Sequence, residues 1–225
     1  MTLSPTDRTT ITRHRERSGA DRADLLAVLD EALVCHVGLV RDGAPVVLPS
    51  IFAVDPDGPD EGGTLYLHGS VGAPWLRQAP GATVCATFTL VDGAVIARAA
   101  FSHSMNYRSA VVMGPGRLVG DEAERVRALD LIVDHVVPGR SATLRPHTRK
   151  ELAATVVIAV PLAEASVKSR AGGPADEADD IASGVWAGVV PLSVTAGPIE
   201  PDHDGPVPDD VRRGVARWGG AAGAR

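Results

Sequence analysis

Short β-type runs closed by Asp-Gly pairs, with few helices between them, constrain this chain more than any other feature. Asp42-Gly43 separates the apolar run at 32–40 from the one at 45–54, and Asp92-Gly93 separates 83–91 from 94–99. Asp-Gly between apolar runs predicts a tight hairpin, because its two central residues tolerate positive φ. A parallel sheet would need a helix in most connections, and those are missing. The chain is therefore expected to be mainly β with flanking helices (α+β), its antiparallel strands curling toward a barrel.

The helical signals are few. Asp21 stands before a short amphipathic stretch carrying Leu25, Leu26, Val28 and Leu29. Pro74 to Gln78 predicts one or two turns. Val126, Leu129, Ile132, Val133, Val136 and Val137 recur at three and four, so 122–137 is the strongest helix, ended by Pro138-Gly139. A short helix is expected at 148–153, strands at 155–161 and 186–195, and further strand at 108–113 and 116–119. Three segments result: a polar arm over 1–20, a domain over 21–197 and a loose tail over 198–225, rich in Pro, Asp, Gly and Arg.

Composition narrows the function classes. The 225 residues carry a net charge of -6, so there is no global field for a polyanion and nucleic acid is not an expected partner. No apolar run approaches the roughly 18 residues that span a bilayer, and the polar N-terminus has no secretory apolar core, so no membrane role is expected. Two cysteines make no disulfide framework, and a reducing cytoplasm is the expected location.

The densest polar cluster is Ser102-His103-Ser104-Met105-Asn106-Tyr107-Arg108-Ser109, read as a loop between strands. Its hydroxyl, amide and guanidinium groups could hold a phosphate and the carbonyl edge of a flat ligand. The same residues also suit a polar surface loop. His68-Gly69-Ser70 could form an anion nest or an ordinary strand exit. Lys168 and Arg170 offer two cations just after a strand, as an anion contact or a solvated basic turn. Cys35-His36 and Cys85 lack metal-ligand spacing and are expected to be inert thiols, so no metal site is expected. Neither G-x-S-x-G nor G-x-G-x-x-G occurs, which argues against a serine hydrolase elbow and a Rossmann fingerprint.

Seven segments taken together carry a resemblance: CHVG at 35–38, DGAPVVLPS at 42–50, TLYLHGS at 64–70, ARAAFSHSMNYRSAVVMG at 97–114, VPGR at 137–140, RKELAAT at 149–155 and VWAGVVPL at 185–192. Over about residues 10–197 the chain resembles the FMN-binding branch of the pyridoxamine-phosphate-oxidase-like split-barrel superfamily. Such proteins are often labelled flavin-nucleotide-binding proteins and are similar to nitroimidazole-resistance nitroreductases. The resemblance implies a six-stranded antiparallel split β-barrel of the FMN-binding type, forming a homodimer with FMN at the subunit interface. It implies that Pro49, Ser50, His68, Gly69 and Ser70 line the flavin and phosphate, and that Asn106, Tyr107, Arg108 and Ser109 complete the pocket. Lys168 and Arg170 would reach it from the partner subunit, and His103 or His68 would stand near the ring, His103 as the catalytic proton donor. Ala99 and Ser102 depart from the common family form, which has Ser and His there. The basic C-terminal signature of true pyridoxamine-phosphate oxidases is also missing.

The implied function is an FMN-dependent oxidoreductase exchanging electrons with a small organic substrate. Three alternatives stay open: a flavin-binding or carrier protein without turnover, a specialised biosynthetic enzyme, and a haem-binding split barrel with His68 or His103 as axial ligand.

Overall fold

A computed structural model describes residue 3, residues 6–19 and residues 21–219. The remaining positions, at the ends of the polar arm and of the tail, lie outside the described residues. In chain order the elements are β1 (Ser18–Gly19), α1 (Arg22–Glu31), β2 (Cys35–Arg41), β3 (Ala44–Ser50), β4 (Phe52–Asp55), β5 (Thr64–Ser70), α2 (Pro74–Gln78) and β6 (Thr83–Ile96). There follow β7 (Ser104–Pro115), β8 (Arg117–Leu118), α3 (Glu122–Val136), α4 (Arg149–Ala154), β9 (Thr155–Pro161), β10 (Ala165–Arg170), α5 (Ala178–Ala182), β11 (Gly188–Pro191) and α6 (Asp209–Arg217). The pairings β1–β10, β11–β6, β2–β3, β2–β6, β4–β5, β5–β9 and β8–β9 are antiparallel. No helix among the described residues is long and apolar enough to cross a membrane.

The chain divides into two compact units. The first comprises Met1–Ala32, Phe88–Val111 and Ala165–Ser193; the second comprises Leu33–Thr87, Val112–Glu164 and Val194–Arg225. In the first unit the strand order is β1-β10-β7-β6, with β11 on β6. Helix α1 packs on β10, and its Leu25 and Leu29 are each 1% exposed. Burying two leucines to that degree contributes about 1.5–3 kcal/mol apiece before entropy is counted.

The second unit holds the hairpin β2–β3, with β2 also paired to the first residues of β6, and a four-stranded sheet in the order β4-β5-β9-β8. Helix α3 packs on β4, β5 and β9. Its apolar stripe supplies Ala128 and Ile132 to a core with Ala53, Tyr66, Val119, Val157 and Ala159. Asp121 caps α3 by accepting the Glu124 N–H at 2.8 Å. Thr148 and Glu151 form a reciprocal capping box on α4.

Two expectations change. Asp42 (φ 50) and Gly43 (φ 79) make the expected hairpin turn, but Asp92-Gly93 does not, because β6 runs straight through it. There Gly93 pairs with Pro191 of β11, and the Asp92 carboxylate is taken by Arg108. The expected return strand over 45–54 is two strands: β3 pairs with β2, whereas β4 pairs with β5 in the other sheet, and Ile51 is the switch between them. The mainly β, antiparallel α+β architecture is as expected, with its strands in seven- and four-stranded sheets.

Candidate functional site

Each unit carries one group of the residues singled out above. In the first unit the polar cluster is strand rather than loop: Ser104 to Ser109 lie in β7, and Lys168 and Arg170 lie in the neighbouring β10. This pairing brings side chains together across the ladder. Arg170 Nη1 donates to Asn106 Oδ1 at 2.5 Å, and Asn106 Nδ2 donates to the Gly172 carbonyl at 3.1 Å. Ser109 Oγ donates to the Lys168 carbonyl at 3.2 Å. Lys168 Nζ donates to the Arg13 carbonyl of the N-terminal arm. His103 stands apart at the end of a 3₁₀ turn, its Nδ1 2.9 Å from the Ala99 carbonyl. Tyr107 is half-buried on β7.

Arg108 has other partners than a phosphate. Its Nε and Nη2 donate to Asp92 at 3.0 and 2.7 Å, Nη2 also donates to Glu31 at 2.9 Å, and Nη1 meets the same Glu31 carboxylate. Hydrogen bonds to Glu31 and Asp92 hold its pKa well above the ordinary arginine value. Within one chain, then, these side chains satisfy one another. The expected role of Arg108 is to tie α1 to β6. Arg108→Ala is expected to cost about 1 kcal/mol at low salt, since a networked but partly exposed ion pair is worth about that much. The cost should shrink at high salt. Urea unfolding at two ionic strengths measures it; unchanged stability together with lost flavin would return Arg108 to phosphate binding.

In the second unit Pro49 and Ser50 pair with His36 and Cys35 on β2, and the Ser50 hydroxyl donates to the Ile51 carbonyl at 2.8 Å. His68, Gly69 and Ser70 are ladder residues, facing Val157, Val156 and Thr155 of β9. Gly69 is glycine for a steric reason: a Cβ there would lie 2.8 Å from Leu76 Cδ1. The backbone at these residues is committed to the sheet, so no nest forms. Burial pushes the Cys35 thiol up to about 12, which keeps it protonated and inert.

His68 is the exception in this unit. It opens onto a cavity of about 340 Å³. One wall is Ile51 with the α3 side chains Leu129, Ile132, Val133 and Val136, together with Val137, and the polar residues are His68, Arg140 and His147. His68 Nδ1 is buried and has no hydrogen-bond partner. Burial lowers its pKa below the ordinary imidazole value, so the ring is neutral at pH 7. His147 Nε2 lies 3.0 Å from Asp130 Oδ1, which orients that ring.

His68, neutral at pH 7, and Arg140 on a largely apolar cavity could hold an apolar ligand that carries a metal ion and an anionic edge. His147, Asp130 and Arg140 escaped attention as functional residues in the sequence. Arg140 appears there only within VPGR, and His147 precedes a capping box that explains the local pattern without it. The usable signal was the breadth of the α3 stripe: Leu129 and Val133 flank residues that face the core and remain partly uncovered by it.

Comparison with known proteins agrees with this architecture. The pyridoxamine 5'-phosphate oxidase family model matches residues 21–169, and the chain belongs to that family, whose fold is the split barrel. Among solved structures it is similar to the flavocytochrome Anf3 from Azotobacter vinelandii, with 36% identity, 93% of this chain and 97% of that chain covered, and a TM-score of 0.84. It is also similar to the FAD and haem binding protein from Mycobacterium smegmatis, with 40% identity, 88% and 97% covered, and a TM-score of 0.80. A protein from Bacteroides thetaiotaomicron assigned to 5-nitroimidazole antibiotic resistance shows 26% identity, 67% and 85% covered, and a TM-score of 0.54. No curated protein matches the chain.

Proposed function

We propose that this protein is a flavin- and haem-binding oxidoreductase that exchanges electrons with a small molecule in the cytoplasm. The observation that carries the reading is His68, whose side chain lines the apolar cavity beside α3 and whose buried Nδ1 has no hydrogen-bond partner. Two relatives at 36% and 40% identity are described as a flavocytochrome and as an FAD and haem binding protein, which supports the same pair of cofactors here. The chain has no C-x-x-C-H sequence, so haem would be held without covalent attachment.

When bound, a flavin supplies two-electron exchange with organic partners and a haem supplies one-electron and dioxygen chemistry. The residues of the chain do the rest. His68 would hold the haem iron through a neutral nitrogen, because burial opposes its protonation. The Ile51, Leu129, Val133 and Val136 side chains give the cavity an apolar lining, which would lower the dielectric around a bound ligand. Asp130 holds a proton on His147 Nε2 and fixes that ring at the cavity wall.

The flavin, FMN or FAD, belongs with the polar row of β7 and β10, completed by a second subunit. Phe101, 98% exposed, and Trp186, 67% exposed, are the aromatic groups that such a homodimer would cover. The test is one preparation measured twice: a visible spectrum with chromophore identification after denaturation, and a mass by light scattering. A Soret band with released flavin, on a particle of twice the chain mass, is the expected result. A colourless protein that takes up neither haemin nor flavin sinks the reading, and a monomer removes the shared site.

A further inference from the structure

We propose that the C-terminal helix α6 sets the charge selectivity of the His68 cavity, with Asp210 as a positioning residue for Arg140. The proposal rests on the haem reading above and names the group that Arg140 recognises: a carboxylate on the edge of the flat ligand.

The tail read from its composition as loose carries α6 in the structure, and α6 packs where α3 ends. Val215 is 6% exposed and Asp210 only 4%. A Cβ on Gly214 would meet Val137, a cavity residue, at 3.6 Å, and Arg217 Nη1 donates to the His135 carbonyl at 3.4 Å. The family match ends at residue 169, so α6 lies outside the matched segment. A carboxylate as buried as Asp210 needs a partner, because desolvating an unpaired charge is costly. That partner is Arg140, whose Nη1 donates to Asp210 Oδ2 at 3.2 Å. Arg140 also lines the cavity.

One carboxylate takes one edge of the guanidinium. The rest of the planar fork keeps its donors and its fixed orientation. An arginine held from behind in this way receives an anion without first ordering a long side chain. The other walls are mainly aliphatic, so an anionic edge on the ligand has Arg140 to meet. Asp210 touches neither cavity nor ligand, and its effect runs through Arg140.

The test titrates the full chain, freed of chromophore, with haemin and with haemin dimethyl ester, whose two carboxylates are masked. Soret absorbance reads binding in wild type, Arg140→Ala, Arg140→Lys and Asp210→Asn. Free haemin is expected to bind about 10-fold more weakly to Arg140→Ala and about 5-fold more weakly to Asp210→Asn, as for loss of one charge-assisted contact. Arg140→Lys should recover part of the loss, and the ester should bind all four proteins within about 2-fold of one another. Equal losses for haemin and ester would make α6 a merely structural support and overturn the proposal, as would no loss for either. In wild type alone, tighter binding of the ester than of haemin overturns it without any variant. If wild type takes up neither probe, the haem reading itself falls and this proposal with it.

Discussion

His68→Ala is expected to remove the haem spectrum while leaving the fold in place. The side chain lines the cavity and carries a buried ring nitrogen without a hydrogen-bond partner, so its loss should weaken haemin binding by at least about 100-fold, roughly 3 kcal/mol. The fold should tolerate the change because His68 pairs with Val157 through the backbone, which alanine preserves. Its ring is half-buried and leaves a polar gap rather than a hole in the core. Addition of free imidazole should restore part of the Soret band, as expected when a ligand side chain is replaced in trans. Persistence of the native Soret band in His68→Ala would move the axial ligand elsewhere, with His103 next to be mutated. Far-ultraviolet circular dichroism separates either outcome from unfolding.

The largest effect on stability is expected at Gly116→Ala. A Cβ at that position would sit 2.3 Å from the Ala79 carbonyl oxygen and 3.3 Å from Ile158 Cγ2. The obstacle is backbone, so a rotamer change cannot relieve it. The two segments are also tied by hydrogen bonds: Gly81 N–H donates to the Gly116 carbonyl at 2.8 Å, and Gly116 N–H donates to the Ala82 carbonyl at 2.9 Å. Separating them to admit a methyl group should cost about 3 kcal/mol. For a chain of this size that corresponds to a fall in Tm of about 10 °C. Gly120→Ala is the control, since nothing lies within 4 Å of a Cβ there. Equal melting temperatures for Gly116→Ala and wild type would mean that the close approach is absent in solution.

The polar cluster at 102–109 shows where sequence reading loses resolution. Its residues lack the apolar alternation that marks a strand, because Asn106, Arg108 and Ser109 bond to β10, to α1 and to β6 instead of packing in a core. A strand whose side chains are satisfied by polar neighbours reads as a loop. Asp92-Gly93 errs the other way: a strong local turn signal is overridden because pairing with β11 and the Arg108 ion pair hold the chain extended. Both depend on partners 16 or more residues away in sequence, which no local pattern contains.

The cavity was half legible. His68 was singled out for its place at the end of an apolar strand and as an alternative haem ligand. The three-and-four spacing of α3 was plain. What periodicity cannot show is how wide a stripe its partners cover. Leu129 and Val133 look like core residues in sequence, and both line the cavity, Leu129 while also packing against the core. Arg140, His147 and Asp210 were silent for a related reason. Each is a charged or titratable residue in a loop or tail segment, where the default is solvent, and only the packing of α6 on the end of α3 gives Asp210 and Arg140 their partners.

What the sequence by itself determined about this protein is its class: antiparallel, mainly β with one long helix, and a member of a flavin-associated family. Local physics suffices for the fold class, since turn chemistry, helix capping and a 3.6-residue period act over a few positions, whereas the family rests on the resemblance of whole segments. Tertiary structure alone decided which side chains have spare bonding capacity. Arg108 and Asn106 have partners within the chain, whereas His68 Nδ1 has none. That difference is a property of the neighbours each group meets in space, and burial makes an unpaired nitrogen expensive enough to point to a ligand.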